Sequence, residues 1–217
     1  MTRTAAVFDM DGVLVDNAPL HRAAWRQLCV EEQVTLPDGE WWRLTIGRPI
    51  WEALPRLLGP LDEARLVRLA GRRQALYEEL AARGLVPVAG VVDFVRQLTA
   101  GQIPCAIATS AIPENVSPIL TTLGLADVFP VRVTAADIRR GKPDPEVYAT
   151  AAARLGVSAA ACVVFEDAVT GVEAARRAGM AVIGVTTAHP AGELLEAGAA
   201  RAVPDFRGLT WGDVARL

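Results

Sequence analysis

The chain has 217 residues and a formal net charge of −3, and 52% of its residues are hydrophobic while 22% are charged. This composition is typical of a globular protein with a sizeable core, and it excludes a largely disordered chain. Because no basic surface is indicated, we expect a protein that binds no nucleic acid.

The first residues and the cysteines indicate the cellular compartment. Asp9 and Asp11 leave no room for the apolar centre of a signal peptide, and no apolar run reaches the roughly 18 residues of a membrane span. Three widely separated cysteines without CxxC spacing indicate reduced thiols within a core. We therefore expect a cytoplasmic protein that binds no membrane. The oligomeric state is left open, with a monomer as the default expectation.

The first predicted strand covers residues 4–9, "TAAVFD", and runs directly into two carboxylates. Asp9 ends the strand, Asp11 follows, and Gly12 permits a tight turn of the backbone. Two carboxylates at the end of a buried strand repel each other and are costly to desolvate. The pattern therefore predicts that a positive charge lies between them.

The segment after this strand differs from the rest of the chain, in which predicted strands and helices alternate. Roughly ninety residues follow without a convincing strand, which is far longer than an ordinary connection. Helix-like segments lie at residues 18–31, 48–58 and 62–82. We interpret residues 16–83 as an inserted α-helical cap domain, and residues 1–15 plus 84–217 as the catalytic core domain. Because ligands bind beyond the carboxyl ends of strands, a mobile cap rooted there would cover the site.

The rest of the chain alternates between strands and helices. Four further strands are predicted, each after a helical pattern with a glycine at its end. This order predicts right-handed crossovers and an α/β fold, with a Rossmann-like parallel sheet core and helices on both faces. The four strands are predicted at residues 103–109, 128–134, 161–167 and 181–187.

Polar side chains collect where these strands end. In a parallel sheet the carboxyl ends of the strands lie along one edge, so residues far apart in sequence are expected to meet there. The group contains carboxylates, hydroxyls and one ammonium. Its members are Asp9, Asp11, Thr109, Ser110, Lys142, Glu166 and Asp167.

The chemistry of this group favours phosphoryl transfer. Oxygen ligands without a nearby His or Cys favour Mg²⁺ as the cofactor. Attack of the Asp9 carboxylate on phosphorus would give an acyl-phosphate that water can cleave, and Asp11 is placed to act as general acid and base. Mg²⁺ and Lys142 would screen the charge of the phosphate, while Thr109 would donate to a non-bridging oxygen.

Four segments of the chain resemble a known family. "FDMDGVLVD", "IATS", "GKPDPEVY" and "VFEDAVTGVEAARRAGM" are similar, in order, to the signature blocks of the haloacid dehalogenase superfamily, in the branch of β-phosphoglucomutase and small sugar-phosphate phosphatases. The resemblance covers nearly the whole chain. It implies Asp9 as nucleophile, Asp11 as acid and base, and Thr109 and Lys142 at the phosphate. It also implies a metal site formed by Asp9, the Asp11 backbone carbonyl and Asp167, with Glu166 as a further acid.

The helical insert shows a partial resemblance to the same branch. "DNAPLHRAAW" is similar to the family's stretch in which a His follows the acid/base Asp by ten residues, and this implies His21 near the hinge. Arg73 occupies the place of a basic residue that faces substrate in the mutase. Arg48 is displaced by two residues from the mutase's arginine, whose position is taken by Ile50. With Ser110, these three are the predicted substrate-binding residues.

A second departure favours hydrolysis over mutase chemistry. Where the mutase has a Ser-Lys-Asn run that holds the second phosphate of its substrate, this chain reads Ala111-Ile112-Pro113. Without those donors, a bisphosphate intermediate has few partners for its far end. We therefore expect a Mg²⁺-dependent phosphatase that hydrolyses a small phosphorylated metabolite, such as a sugar phosphate or a phosphoglycolate-like acid, through an aspartyl-phosphate.

Two alternatives remain open at this point. One is a hexose-phosphate mutase of the β-phosphoglucomutase type, which would depend on a bisphosphate activator. The other is a phospho-accepting regulatory domain of the receiver type, which also gathers acids, a hydroxyl and a lysine at strand ends. Receivers lack a large cap, and Asp11 is placed to activate the water that would remove their phosphate. A dehalogenase is disfavoured because attack on a carbon–halogen bond needs neither Asp11 nor a metal site at Asp167.

Overall fold

The computed structural model describes residues 4–35, 37, 39–45, 48 and 50–217. The chain forms two compact units: Met1–Asp16 together with Val86–Leu217, and Asn17–Leu85. The first unit carries the sheet, and the described part of the second is helical. The interpretation of the second unit as a mobile cap stays a prediction.

The sheet unit contains six parallel strands in the order β3-β2-β1-β4-β5-β6. The predicted Rossmann-like α/β fold is confirmed. The register is set in the middle of the sheet, where Phe8 pairs with Ile107 on one side and with Phe165 on the other. The strands are β1 (Ala5–Phe8), β2 (Cys105–Ala108), β3 (Val131–Val133), β4 (Cys162–Glu166), β5 (Ala181–Val185) and β6 (Arg201–Val203).

Helices flank the strands, as the sequence pattern predicts. They are α5 (Val91–Ala100), α6 (Pro113–Thr122), α7 (Glu146–Leu155), α8 (Val169–Arg177), α9 (Ala191–Glu196) and α10 (Trp211–Val214). The predicted glycine at the end of α7, Gly156, has a left-handed backbone conformation with φ of 70°, which glycine adopts more easily than other residues. After α5 the left-handed residue is Gln102, with φ of 55°, while Gly101 has φ of −81°.

The middle of the sheet is buried because apolar residues cover both faces of its strands. Every residue of β1, β2 and β4 is buried. On one face Phe8 stacks on Phe165 with ring centroids 4.8 Å apart, and Phe94, Phe129 and Phe206 pack around that pair. This packing fixes the strands whose ends carry the predicted site.

The second unit is described as four helices around a small apolar core. They are α1 (Ala18–Glu31), α2 (Glu40–Thr45), α3 (Ile50–Leu58) and α4 (Glu63–Ala81). The core contains Trp25, Leu28, Leu54 and Leu69. Gly47 and Pro49, which flank Arg48, lie outside the described residues. Among the described helices of the whole chain, none combines the length and apolarity that crossing a membrane requires.

Candidate active site

The site is placed by the topology of the sheet. Strand β1 lies between β2 and β4, where the order of the strands reverses, and ligands of open α/β sheets bind at such a switch point. Asp9 directly follows β1, while Glu166 ends β4 and is followed by Asp167. All three acids are buried. The structure therefore brings together three of the predicted carboxylates at one edge of the sheet.

Lys142 joins the ends of the two central strands. Its Nζ lies 3.1 Å from Asp9 Oδ1 and 2.6 Å from Glu166 Oε1. Burial opposes the charge of the ammonium, but Asp9 and Glu166 outweigh that effect and hold the pKa of Lys142 well above its ordinary value. The lysine therefore remains a cation between the two carboxylates.

Glu166 is held by donors on both of its oxygens. Oε1 accepts from Lys142 Nζ and from the Tyr148 hydroxyl, which is 3.0 Å away, while Oε2 accepts from the Ala168 backbone N–H at 2.7 Å. A Cβ at Gly171 would overlap with the same carboxylate. Position 171, in the first turn of α8, therefore requires glycine, because any side chain there would occupy the space of the buried Glu166 carboxylate.

Asp167 lies against the loop that follows β1. A Cβ at Gly12, whose φ is 76°, would overlap with Asp167 Oδ2. The Thr187 hydroxyl lies 2.6 Å from the Gly12 carbonyl oxygen and 3.2 Å from Asp167 Oδ2, and so joins the end of β5 to both loops. Gly12 is therefore required for the close approach of the Asp167 carboxylate, in addition to the turn that the sequence predicts.

The acids of this site fit a divalent cation. Asp9, Glu166 and Asp167 each offer a ligand oxygen, and these oxygens lie within 4.8 Å of one another. Burial raises the pKa of Asp9 to about 7; Lys142 opposes the shift, and Glu166 and Asp11 add to it. Burial and the neighbouring Glu166 likewise raise the pKa of Asp167 well above its ordinary value. One ammonium does not balance three buried carboxylates, and a hard divalent ion with oxygen ligands would do so.

The side chain of Asp11 is placed differently from these three acids. It is half-buried, and within the described chain it is not a member of the carboxylate group that could hold an ion. It is nevertheless close enough to Asp9 for its charge to raise the pKa of that residue. Its predicted contribution to the metal, through the backbone carbonyl, stays a prediction.

Thr109 is buried at the end of β2 with its hydroxyl oriented by the backbone. Its N–H donates to the Val133 carbonyl at 3.0 Å, and its Oγ1 accepts the Ala111 N–H at 3.1 Å. Because the hydroxyl oxygen is used as an acceptor, its proton can be donated to an oxygen of a ligand. The neighbouring Ser110 is exposed.

The three predicted substrate-binding residues of the helical unit have different surroundings. Arg73 Nη2 is hydrogen-bonded to His21 Nδ1, and the His21 ring stacks on Tyr77 with centroids 4.4 Å apart. The Arg73 guanidinium also lies 5.2 Å from the centroid of the Trp25 ring. Because arginine only donates, His21 Nδ1 is the acceptor and carries no proton. Arg48, by contrast, is exposed.

Two side chains of the site were not predicted from the sequence. Tyr148 lies in the "GKPDPEVY" block, six residues after Lys142, and Thr187 ends the predicted strand 181–187. The rule that located Asp9 and Asp167 at strand ends applies equally to Thr187 and could have identified it. No comparable signal marks Tyr148, because its contact depends on the packing of α7 against the sheet.

The family profile of haloacid dehalogenase-like hydrolases matches residues 4–179 of this chain. The chain belongs to this family. Its membership confirms the resemblance stated on the four sequence blocks, and it makes the protein an enzyme of the hydrolase class.

Named relatives and solved structures extend this finding. The validoxylamine A 7'-phosphate phosphatase of Streptomyces hygroscopicus subsp. limoneus is 36% identical over 192 residues, which cover 88% of this chain and 90% of that protein. The β-phosphoglucomutase of Bacillus subtilis is 33% identical over 197 residues, which cover 86% of this chain and 84% of that protein. A family IA hydrolase structure from Entamoeba histolytica has a TM-score of 0.88 at 27% identity, covering 98% of this chain and 99% of that chain.

Proposed function

We propose that this protein is a Mg²⁺-dependent phosphatase that hydrolyses a small phosphorylated sugar or related metabolite through an aspartyl-phosphate. The observation that carries the proposal is the buried group of Asp9, Glu166 and Asp167 with Lys142 at the switch point of the sheet. The similarity to a protein named validoxylamine A 7'-phosphate phosphatase supports a small phosphorylated metabolite as the substrate.

Asp9 is the proposed nucleophile. Its Oδ1 lies 3.1 Å from Lys142 Nζ, and this cation lowers the repulsion between the carboxylate and an incoming phosphate. Thr109 is proposed to donate its hydroxyl proton to a non-bridging oxygen of the phosphoryl group. When bound by Asp9, Asp167, Glu166 and the Asp11 carbonyl, Mg²⁺ would neutralise charge on the phosphoryl oxygens.

Asp11 is the proposed general acid and base. In the first step it would give a proton to the oxygen of the leaving alcohol as the bond from that oxygen to phosphorus breaks. In the second step it would take a proton from water, which attacks the phosphorus of the aspartyl-phosphate and releases inorganic phosphate and free Asp9. Its half-buried position allows contact with both the solvent and the site.

Substrate selection is assigned to four further residues. Ser110, beside Thr109, is exposed and can contact the substrate beyond its phosphate. His21 and Arg73 form a hydrogen-bonded pair in the helical unit, and Arg48 is an exposed cation of the same unit. We infer that residues 16–83 act as the cap that carries these three side chains to the substrate.

A hexose-phosphate mutase is the second candidate, favoured by the similarity to the β-phosphoglucomutase of Bacillus subtilis. The loop after β2 argues against it. Ala111 and Ile112 offer no side-chain donor, and α6 begins at Pro113, so none of the side chains of residues 111–113 can donate to a second phosphate. Hydrolysis is therefore the proposed reaction.

A panel of phosphorylated metabolites tests the proposal. The purified protein is assayed for phosphate release with Mg²⁺, and again with EDTA, and for isomerisation of a hexose 1-phosphate with a hexose bisphosphate activator. We expect phosphate release that EDTA abolishes and added Mg²⁺ restores, without isomerised product. Isomerisation that depends on the bisphosphate would establish the mutase. An acyl-phosphate that persists for minutes without turnover would establish the phospho-accepting domain.

A further inference from the structure

Tyr148 is a fully buried residue of α7 that contacts the charged centre of the site in two ways. Its hydroxyl donates to Glu166 Oε1 at 3.0 Å. The face of its ring lies under the Lys142 ammonium, with Nζ 5.0 Å from the ring centroid. One side chain therefore contacts both the buried anion and the buried cation.

The loop before α7 holds the two residues in place. Glu146 accepts from the backbone N–H groups of Arg139 and Arg140, at 3.1 and 3.0 Å, and its own N–H donates to Asp144 Oδ1 at 3.0 Å. These bonds fix the segment that carries Lys142 and the start of the helix that carries Tyr148. Neither side chain depends on substrate to reach Glu166.

The hydrogen-bond donors around the Glu166 carboxylate leave one of its lone-pair positions for a cation. A carboxylate offers about four lone-pair positions. Lys142 and Tyr148 occupy two of them on Oε1, and the Ala168 N–H occupies one on Oε2. One position on Oε2 is left for a further partner. Because Oε1 already accepts from both Lys142 and Tyr148, Oε2 is the oxygen that is left for an ion.

The same hydroxyl affects how Lys142 is shared. The ammonium is closer to Glu166, at 2.6 Å, than to Asp9, at 3.1 Å. A second donor on Oε1 weakens the attraction of Glu166 for the Lys142 ammonium, and so favours the contact of the ammonium with Asp9. Removal of the hydroxyl should draw the ammonium towards Glu166 and away from Asp9.

We propose that Tyr148 is a positioning residue. It orients Glu166 for cation binding and determines how closely the Lys142 ammonium approaches Glu166 and Asp9. The part of this inference that concerns turnover rests on the proposed function. The part that concerns Mg²⁺ binding does not, because it is measured without substrate.

The test compares Tyr148→Phe, which keeps the ring and removes the hydroxyl, with the wild type. Mg²⁺ affinity is measured by isothermal titration calorimetry, and kcat at saturating Mg²⁺ is measured on the best panel substrate. Changes to the outer partners of metal ligands typically cost 10- to 100-fold, so we expect Mg²⁺ affinity to fall about tenfold. Thr210→Ala, which removes a hydroxyl from the capping box of α10, is the matched control and should bind Mg²⁺ as the wild type does.

Two labelled atoms report on the same contacts without any assay of activity. The chain has two tyrosines, and Lys142 is its one lysine, so [ζ-¹³C]tyrosine and [ε-¹³C]lysine give few and assignable resonances. We expect the Tyr148 resonance, identified by its loss in Tyr148→Phe, to move on addition of Mg²⁺. We expect the lysine resonance to shift in Tyr148→Phe.

An unchanged Mg²⁺ affinity in Tyr148→Phe, together with a tyrosine resonance that Mg²⁺ does not move, would overturn the proposal. This result is distinct from a failure of the proposed function. If the wild type releases no phosphate from any substrate, the phosphatase proposal fails, while the Mg²⁺ affinities of the two proteins still decide the role of Tyr148.

Discussion

Lys142 Nζ and Asp9 Oδ1 lie 3.1 Å apart, both buried, at the end of the central strand of the sheet. The same ammonium lies 2.6 Å from Glu166 Oε1. A cation shared by two buried carboxylates affects both stability and catalysis, because its loss leaves the negative charge of both acids buried without a neighbouring positive charge.

The first prediction concerns Lys142 itself. Lys142→Met should lower the free energy of unfolding of the metal-free protein by about 3 to 5 kcal/mol, the usual cost of breaking a buried charge pair. Urea denaturation measures this change. Lys142→Arg retains the charge, but its planar guanidinium is larger than the ammonium and does not fit the same contacts. It should remain folded and lose most activity; wild-type turnover in Lys142→Arg would show that charge alone suffices.

The second prediction concerns Gly171, in the first turn of α8. Alanine normally stabilises a helix by up to about 1 kcal/mol relative to glycine. Here its Cβ would overlap with the Glu166 carboxylate, so Gly171→Ala should displace that side chain and weaken Mg²⁺ binding at least tenfold. Calorimetric titration with Mg²⁺ checks this expectation. Gly71→Ala, in α4 with nothing within 4 Å of the added Cβ, is the control. It should leave Mg²⁺ affinity unchanged and should leave the free energy of unfolding unchanged or raise it.

The third prediction concerns Thr187, which joins the Gly12 carbonyl to the Asp167 carboxylate. Thr187→Val keeps the shape of the side chain and removes its hydroxyl. We expect the Mg²⁺ concentration at half-maximal activity to rise about tenfold, with much of kcat recovered at saturating Mg²⁺. Thr187→Ser restores the hydroxyl and should restore Mg²⁺ affinity. A loss of Mg²⁺ affinity in Thr187→Ser as large as that in Thr187→Val would show that the hydroxyl alone does not account for the effect, and would contradict this prediction.

The fourth prediction concerns pH. Burial raises the pKa of Asp9 from 3.8 to about 7, so the folded metal-free protein holds a proton that the unfolded chain releases. The contribution of Asp9 to stability is therefore present below pH 3.8 and is lost as pH rises to about 7. Compared with Asp9→Asn, which cannot titrate, the wild type should lose stability over this range. Mg²⁺ affinity should rise over the same range, because the ion binds the carboxylate. Chemical denaturation and Mg²⁺ titrations at several pH values measure both trends.

The architecture was predictable because strongly patterned segments determine it. The apolar strands, the helices that follow them and the long helical insert were all visible in the sequence. Shorter elements were not. Strand β3 pairs only over Val131–Val133 instead of residues 128–134, because Phe129 turns into the core against Phe8 before the strand begins. The three-residue strand β6 is too short for any alternation to mark it.

The candidate site was predictable to the extent that strand ends specify it. Asp9, Glu166 and Asp167 were placed together by the rule that parallel strands end at one edge, and the structure brings them within reach of one ion. The contacts that hold them were not predictable in this way. The hydroxyl of Tyr148 and the missing side chain of Gly171 matter through packing between α7, α8 and the sheet, which no local pattern encodes.

The central claim is that the Asp9 carboxylate attacks phosphorus and forms an aspartyl-phosphate. It is tested most directly by acid quench of the wild type during turnover, reduction with borohydride and peptide mass spectrometry. Borohydride converts a phosphorylated aspartate to homoserine, and we expect this change at Asp9. Asp9→Asn, treated identically, should show no conversion and no phosphate release while remaining folded. Conversion at a different aspartate, or wild-type phosphate release by Asp9→Asn, would contradict the account.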